Sequence, residues 1–271
     1  MVDITLVTVK EIASKEFLKV SKNESLANVV KSMEKFKTDR AIVYSNLTPE
    51  GILTKKDIIT RVATTKSRRY PISALHASSV MTSPLYTTQP NVTLPKAARV
   101  MVEKNFSCLP IMEGDEVTGM LTKWDIAKIL TTNSRPLSQI MTTDVTIVRD
   151  TDSLIMARKL MIDEGFSSLP VVNLEGKIVG MLTLDELLNA LVELLDIIAE
   201  AGAKDALKRI AVRDVMRPIT PMLKSDDAIG TAAALMLEKN VRAVLITSNE
   251  GLLKGIATLT DLTKYVAAFS G

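Results

Sequence analysis

Apolar residues recur at helical spacing in four stretches of the chain, and two short apolar runs follow each stretch. In the third stretch, Leu154 and Met161 are seven positions apart, which places them on one face of a predicted helix. The runs 169–172 and 178–182 come next, separated by five mainly polar residues typical of a β-hairpin turn. A second helix is predicted to follow directly from Thr183. The pattern therefore predicts a strand, helix, strand, strand, helix unit.

Seven positions hold one register in four copies of this unit. Their successive separations are 13, 7, 8, 10 or 11, 3 and 3 residues. The positions are Ala13, Leu26, Met33, Ala41, Gly51, Thr54 and Asp57; Met81, Leu94, Met101, Leu109, Gly119, Thr122 and Asp125; Met141, Leu154, Met161, Leu169, Gly180, Thr183 and Glu186; and Met216, Ile229, Met236, Val244, Gly255, Thr258 and Asp261. A fixed period of this kind indicates a repeat architecture, here of the α+β class.

The predicted repeats are 1–66, 67–132, 133–200 and 201–271. A short polar linker at 133–136 divides the chain into two halves of two repeats each. One repeat is too small to bury both faces of its sheet, so we expect repeats to pair through their sheets. Clefts along such a contact suit small ligands.

Composition and charge narrow the functional classes. The chain has 271 residues, 46% of them hydrophobic, and a net charge of +3, which excludes disordered and collagen-like proteins. The near balance of charge gives no general reason to expect a DNA-coating protein. One cysteine, Cys108, excludes an intramolecular disulfide and a cysteine metal cluster, and one histidine, His76, argues against most hydrolytic schemes. With so few of these side chains, we expect neither a metal site nor a catalytic site. No signal peptide or membrane span is evident, so we expect a cytoplasmic protein.

The repeated Gly-h-h-Thr-x-x-Asp segments, where h is a hydrophobic residue, resemble those of cystathionine-β-synthase (CBS) domains. These segments are 51–57, 119–125, 180–186 and 255–261, with supporting matches at 80–82 and 107–111. The resemblance covers nearly the whole chain. It implies four CBS repeats paired into two Bateman modules in a disk-like arrangement, similar to the γ subunit of AMP-activated kinase. It also implies clefts that bind adenosine-containing ligands such as AMP, ADP, ATP or S-adenosylmethionine.

The Thr-x-x-Asp spacing has two interpretations. It is the spacing of a helix capping box, which stabilises a helix by about 0.5–2 kcal/mol. A short carboxylate at a helix start can also accept hydrogen bonds from two vicinal hydroxyls of a ribose. Three copies use Asp although capping boxes favour Glu or Gln, and this favours the ribose role. Capping and binding are compatible.

The resemblance implies a role for each of the following residues. The ribose would be held by Asp57, Asp125 and Asp261, with Thr54, Thr122 and Thr258 near the ribose or phosphate. The third copy departs from the pattern, with Thr183 and the longer Glu186 in these places. The adenine slot maps to Phe106, Ser107, Cys108, Phe166, Ser167 and Ser168, and its opposing wall to Met81, Met141 and Met216. All of these slot and wall residues also fit a purely structural role in the core. Phosphate contacts map to Arg40 and Arg242, with Lys55, Lys56 and Lys123 as weaker candidates.

The leading hypothesis is a non-enzymatic adenine-nucleotide sensor that acts through an unknown protein effector or as a homodimer. A sensor of S-adenosylmethionine is one alternative. Nucleic-acid binding is another, through two basic connectors that more often are solvated surface. Their residues are Lys55, Lys56, Arg61, Lys66, Arg68 and Arg69 with Tyr70 nearby, and Lys204, Lys208, Arg209, Arg213 and Arg217. Trp124 fits ligand stacking, an interface or a cover over the sheet.

Overall fold

The structure, a computed structural model, describes residues 3–62, 71–201, 209–218 and 220–270. The helices are α1 Val9–Ile12, α2 Leu26–Lys35, α3 Lys55–Val62, α4 Leu94–Glu103, α5 Lys123–Leu130, α6 Leu154–Asp163, α7 Leu184–Ala201, α8 Ile229–Lys239 and α9 Leu259–Ala267. The strands are β1 Lys19–Ser21, β2 Arg40–Ser45, β3 Thr48–Thr54, β4 Cys108–Glu113, β5 Glu116–Thr122, β6 Val148–Arg149, β7 Ser168–Val172, β8 Ile178–Thr183, β9 Met222–Leu223, β10 Ala243–Thr247 and β11 Leu253–Thr258. The described elements form an α+β fold.

The repeated helix pattern is confirmed in all four copies. The apolar residues seven positions apart are buried, as in Leu94 and Met101 of α4. Residues in the left-handed conformation, which Gly and Asn adopt most readily, follow three of these helices at Asn105, Gly165 and Asn240, with φ of 53°, 75° and 50°. The two strands that follow pair antiparallel in every repeat. The second helix of each repeat starts immediately after the threonine.

The first strand of repeat 2 does not form as predicted. Thr88 makes one parallel bridge to Ile111, and the sheet keeps only β4 and β5 as strands. In repeat 1 the corresponding ladder continues with a 2.8 Å hydrogen bond from the amide of Lys22 to the carbonyl of Tyr44. Pro90 occupies the register of Lys22 and has no amide hydrogen, so it cannot make this bond. A proline thus reduces the predicted strand to a bridge.

The chain divides into two compact units that cut across its two halves. The first unit contains Met1–Glu16, Tyr86–Val145 and Thr220–Gly271, and the second contains Phe17–Leu85 and Thr146–Ile219. The second unit has a core drawn mainly from repeats 1 and 3, where α3 packs against α7. The first unit has a core drawn mainly from repeats 2 and 4, where α4, α5, α8 and α9 pack together. Helix packing therefore joins alternate repeats, and sheet pairing of consecutive repeats stays a prediction.

Each repeat has, ahead of its strands, a two-residue segment that we call its opening segment: Ala13-Ser14, Met81-Thr82, Met141-Thr142 or Met216-Arg217. The opening segment of repeat 2 pairs with repeat 1, because Thr82 and Ile52 exchange backbone hydrogen bonds of 2.8 and 3.0 Å. Conversely, Ser14 of repeat 1 pairs with Met120 of repeat 2. Repeats 3 and 4 are linked in the same way. The opening segments are therefore exchanged between consecutive repeats.

The glycine of each Gly-h-h-Thr-x-x-acid segment makes room for this exchange. A Cβ atom on Gly180 would lie 2.4 Å from the carbonyl oxygen of Arg217, far inside van der Waals contact. The corresponding distance from Gly51 to Thr82 is 2.6 Å, and that from Gly119 to Ser14 is a more relaxed 3.2 Å. The glycine lets a second backbone approach the strand that leads into the functional helix.

Candidate functional site

Every repeat forms the capping box that its sequence predicts. In repeat 1 the amide and hydroxyl of Thr54 donate to Oδ2 of Asp57 at 2.8 and 2.6 Å. Repeats 2 and 4 repeat this geometry with Thr122 and Asp125 and with Thr258 and Asp261. In repeat 3 the amide of Thr183 donates to Oε2 of Glu186 at 3.2 Å, and the Thr183 hydroxyl donates to the same oxygen. The cap uses one carboxylate oxygen in each copy.

The second carboxylate oxygen distinguishes the four sites. Oδ1 of Asp57 has no hydrogen-bond or ion-pair partner among the described residues. Oδ1 of Asp125 accepts from the ammonium of Lys128 at 2.9 Å, and the Asp125 side chain is only 2% exposed. A ligand hydroxyl would meet an acceptor that no described residue engages in repeat 1, and would have to displace the lysine in repeat 2.

The second carboxylate oxygen is engaged to different degrees in repeats 4 and 3 as well. Oδ1 of Asp261 has two distant neighbours, the hydroxyl of Thr142 at 3.5 Å and the ammonium of Lys264 at 4.0 Å. Oε1 of Glu186 accepts two hydrogen bonds from the guanidinium of Arg217, at 3.1 Å from Nε and 2.8 Å from Nη2. The acceptor is thus weakly engaged in repeat 4 and fully engaged in repeat 3.

The predicted wall methionines lie beside the strands that lead to these acids. A Cβ on Gly51 would be 3.1 Å from the sulfur of Met81, and Cβ atoms on Gly180 and Gly255 would lie 3.0 and 3.3 Å from those of Met216 and Met141. Because the opening segments are exchanged, Met81 of repeat 2 lies at the Asp57 site of repeat 1. Likewise, Met141 lies at the Asp261 site and Met216 at the Glu186 site.

The two arginines predicted to contact phosphate do not occupy equivalent positions. Arg40 pairs with Thr54 across the sheet, whereas in repeat 4 the partner of Thr258 is Ala243. Arg242 is one residue earlier, and neighbouring residues of an extended chain point to opposite faces. The family resemblance implied one phosphate-binding role for Arg40 and Arg242, but the sheet register puts them at different positions.

The surroundings of the arginines differ accordingly. Arg40 is 3% exposed, and its guanidinium donates to the carboxylate of Asp39 at 2.6 and 2.8 Å. The guanidinium of Arg242 lies over the ring of Trp124, 5.8 Å from its centroid. Trp124 also packs against the core of the first unit. A phosphate would compete with Asp39 for Arg40, whereas at the half-buried Arg242 it would meet a guanidinium that lies over Trp124.

The lysines at the helix starts have protein partners. The ammonium of Lys55 pairs with the carboxylate of Asp185, and Lys123 donates to the hydroxyl of Thr260 at 3.0 Å. Each contact joins the start of a helix in one repeat to the start of the corresponding helix two repeats away. Lys56 lies beside Lys55 and makes no side-chain hydrogen bond to the described residues.

The residues mapped to the adenine slot lie at the starts of β4 and β7. Cys108 and Ser168 are buried, and Phe106 packs against Tyr86 with ring centroids 5.3 Å apart. Phe166, Ser107 and Ser167 are half-buried. The hydroxyl oxygen of Ser168 is buried without a hydrogen-bond partner in the described part of the chain. Three of these six residues thus lie at the start of each strand, and their ligand role stays a prediction.

Much of the alternative nucleic-acid surface lies outside the described residues. This applies to Lys66, Arg68, Arg69, Tyr70, Lys204 and Lys208. Among the described members, Arg217 is engaged with Glu186 and Arg213 lies 3.9 Å from Asp214. The described helices include none that is both long and apolar enough to cross a membrane. The described residues also contain no cluster of three His, Cys, Asp or Glu side chains able to hold a metal.

Two site residues were not identified as such from sequence. Lys128 is an ordinary i, i+3 partner of Asp125, which a helical projection of α5 would have shown. In the sequence, Arg217 stands out only as a member of a basic run. An alignment of the four repeats would have singled it out, because serine or threonine holds the same register in the other three repeats, at Ser14, Thr82 and Thr142.

Comparison with known proteins places these observations in a family. The family model described as the CBS domain matches four stretches, 9–64, 77–132, 137–193 and 212–268. Protein MJ1225 of Methanocaldococcus jannaschii, described as a proposed archaeal homologue of γ-AMPK, matches with a TM-score of 0.85 and 21% identity. That match covers 96% of this chain and 99% of MJ1225. At this identity it shows a common fold.

Curated relatives match over less than half of this chain. A homoserine O-acetyltransferase of Methanohalobium evestigatum is 31% identical over 117 residues, which are 43% of this chain and 24% of that enzyme. An uncharacterized 17.7 kDa protein of Acidianus ambivalens is 31% identical over 123 residues, or 44% of this chain and 75% of that protein. The chain thus matches about a quarter of the length of the acetyltransferase.

Proposed function

We propose that this chain, which belongs to the CBS domain family, is a non-enzymatic sensor of adenosine-containing ligands. The four family matches together cover most of the chain. The proposal of a non-enzymatic sensor rests on this membership. The proposal that the ligand contains adenosine rests on the capping carboxylates. AMP, ADP and ATP are the proposed ligands, with S-adenosylmethionine as the alternative.

The observation that carries the proposal is the open oxygen of Asp57. One oxygen of this carboxylate caps α3, and the other has no partner among the described residues. It therefore remains available as an acceptor for ligand hydroxyls, beside the wall residue Met81. The helix start also favours an anionic group, because the first amide hydrogens of a helix point outward with the positive end of its dipole.

The state of the second oxygen orders the sites. We expect the tightest binding at repeat 1, weaker binding at repeat 4, and still weaker binding at repeat 2, where Lys128 must be displaced. The proposed output is a change in how the chain engages a separate protein or a second copy of itself. Such a change can be no larger than the ligand's difference in affinity for the two states.

Calorimetric titration tests the proposal. The protein is titrated separately with AMP, ATP and S-adenosylmethionine, and thermal unfolding is followed with each ligand. Saturable binding that weakens in Asp57→Ala or Asp261→Ala supports a sensor. An absence of heat and of any shift in unfolding temperature with all three compounds would eliminate it.

A further inference from the structure

Arg217 fills the place that a ligand hydroxyl would take in repeat 3. Its guanidinium makes two hydrogen bonds to Oε1 of Glu186, while Oε2 caps the helix. The side chain of Glu186 is 16% exposed and that of Arg217 is 39% exposed. Both oxygens of the carboxylate are therefore engaged within the protein.

The backbone of Arg217 is fixed in position by its own contacts. Its amide and carbonyl each form a 2.9 Å hydrogen bond with Met181 of β8. The carbonyl lies so close to Gly180 that a Cβ there would be only 2.4 Å away. Glu186 lies five residues beyond Met181, in the first turn of α7, and the Arg217 side chain reaches it from this fixed position.

The other three repeats provide internal comparisons for this residue. The same register holds Thr82 at the Asp57 site, Ser14 at the Asp125 site and Thr142 at the Asp261 site. These side chains are short and uncharged, and the hydroxyl of Thr142 reaches Asp261 only at 3.5 Å. The site in repeat 3 departs from the pattern in two ways. Its acid is the longer Glu186, and the residue opposite the acid is the long, cationic Arg217.

We propose that Arg217 is an internal latch that keeps the repeat 3 site closed to adenosine ligands. A ribose diol would have to displace a charge-assisted, doubly hydrogen-bonded guanidinium, which is a stronger partner than a neutral hydroxyl. The latch makes repeat 3 selective against ligands that the other sites accept. This inference rests on the proposed function, because the ligand excluded is the one assigned to the other repeats.

The test counts nucleotide equivalents by equilibrium dialysis with radiolabelled AMP. We compare the wild-type chain with Arg217→Thr. Threonine is the residue at this register in the opening segments of repeats 2 and 3, as Thr82 and Thr142. The expected result is one additional equivalent, with affinity at the released site raised at least about tenfold, the size of one charge-assisted hydrogen bond. Adding Glu186→Ala to Arg217→Thr removes the gained equivalent and so assigns it to repeat 3.

Arg213→Thr is the matched control, since Arg213 precedes the same opening segment and lies 3.9 Å from its nearest carboxylate. It should leave the number of equivalents unchanged. Arg217→Ser, which copies Ser14 of repeat 1, gives a second release of the latch if the threonine variant folds poorly. Circular dichroism and thermal unfolding identify folded variants.

Each outcome bears on one of the two claims. An unchanged count in both folded Arg217 variants overturns the latch, whether or not the wild-type chain binds AMP. Loss of an equivalent also overturns it, because Arg217 would then be holding the ligand. Failure of the proposed function is read separately, from the wild-type chain binding no AMP.

Discussion

Repeats 1 and 3 contribute most of one compact unit and cap their second helices with the same Thr-x-x-acid box, yet their carboxylates differ in state. Asp57 keeps one oxygen free of partners among the described residues, whereas Glu186 has both oxygens engaged. The box fixes where the acid lies. The opening segment contributed by the next repeat then decides what the acid can accept, so identical motifs need not make equivalent sites.

The largest expected effect separates capping from binding in repeat 1. Asn at position 57 keeps an oxygen for the cap but replaces the second oxygen with an amide donor. Asp57→Asn should therefore weaken AMP binding at this site by about 10–100-fold while leaving unfolding nearly unchanged. Titration calorimetry and thermal unfolding measure the two effects.

The matched control for Asp57→Asn is Glu186→Gln in repeat 3. Its carboxylate is already engaged by Arg217, so AMP binding should stay the same. Equal loss of binding in both variants would contradict the difference between the two repeats.

The next effect concerns the close approach of the opening segment. Gly180→Ala places a methyl group 2.4 Å from the carbonyl of Arg217, so the segment must shift. We expect a loss of about 1–3 kcal/mol in the free energy of unfolding, the usual range for overpacking. Denaturant titration measures it. Gly119→Ala is the control, since its 3.2 Å approach to Ser14 is looser, and it should cost clearly less.

The comparison can also be reversed by building the latch into repeat 1. Thr82→Arg combined with Asp57→Glu copies the pair found in repeat 3 onto the site with the open oxygen. AMP affinity at repeat 1 should fall about tenfold, the equivalent of one charge-assisted hydrogen bond. Dialysis measures the change, and Asp57→Glu alone shows how much comes from the longer acid. Undiminished affinity in the double variant would contradict the role assigned to the arginine.

The smallest expected effect concerns a capping box at a helix where no ligand site is proposed, so that capping is measured without binding. At helix α1, the amide and hydroxyl of Thr8 donate to the exposed Glu11 and lower the pKa of its carboxyl. Because the folded pKa is lowered, the stabilisation is present above the unfolded pKa and is lost as pH falls through the folded pKa. Glu11→Gln should lower the unfolding temperature slightly at neutral pH.

Thermal unfolding across a pH series measures this effect. The difference between wild type and Glu11→Gln should disappear in acid, where Glu11 is protonated in both states of the wild-type chain. Glu16→Gln is the control, because the Glu16 side chain makes no hydrogen bond to the described residues. A difference that persists unchanged in acid would contradict the capping contribution.

Local features of the fold were predictable because they depend on neighbouring residues. Buried Leu and Met at helical spacing, left-handed Asn105 and Gly165, and hairpins after each helix all follow from local pattern. Pro90 is also a local signal, and it explains why repeat 2 lacks its first strand. These features required no knowledge of distant contacts.

The features that were not predicted depend on partners far along the chain. The pairing of Arg217 with Glu186 requires knowing that opening segments are exchanged, which spacing within one repeat does not reveal. The compact units join alternate repeats through helices such as α3 and α7, although the linker at 133–136 indicated two consecutive halves. Arg40 and Arg242 look alike in sequence, and only the strand register separates them.

The exchange of opening segments also has a consequence for synthesis of the chain. Thr82 meets its partner Ile52 as soon as it emerges, because that strand has already been made. Ser14 must wait for Met120, roughly a hundred residues later, which at ribosomal rates of about 5–20 residues per second is a delay of several seconds. The amino-terminal segment is therefore unpaired while repeat 1 is translated, and it can close only onto a repeat completed after it.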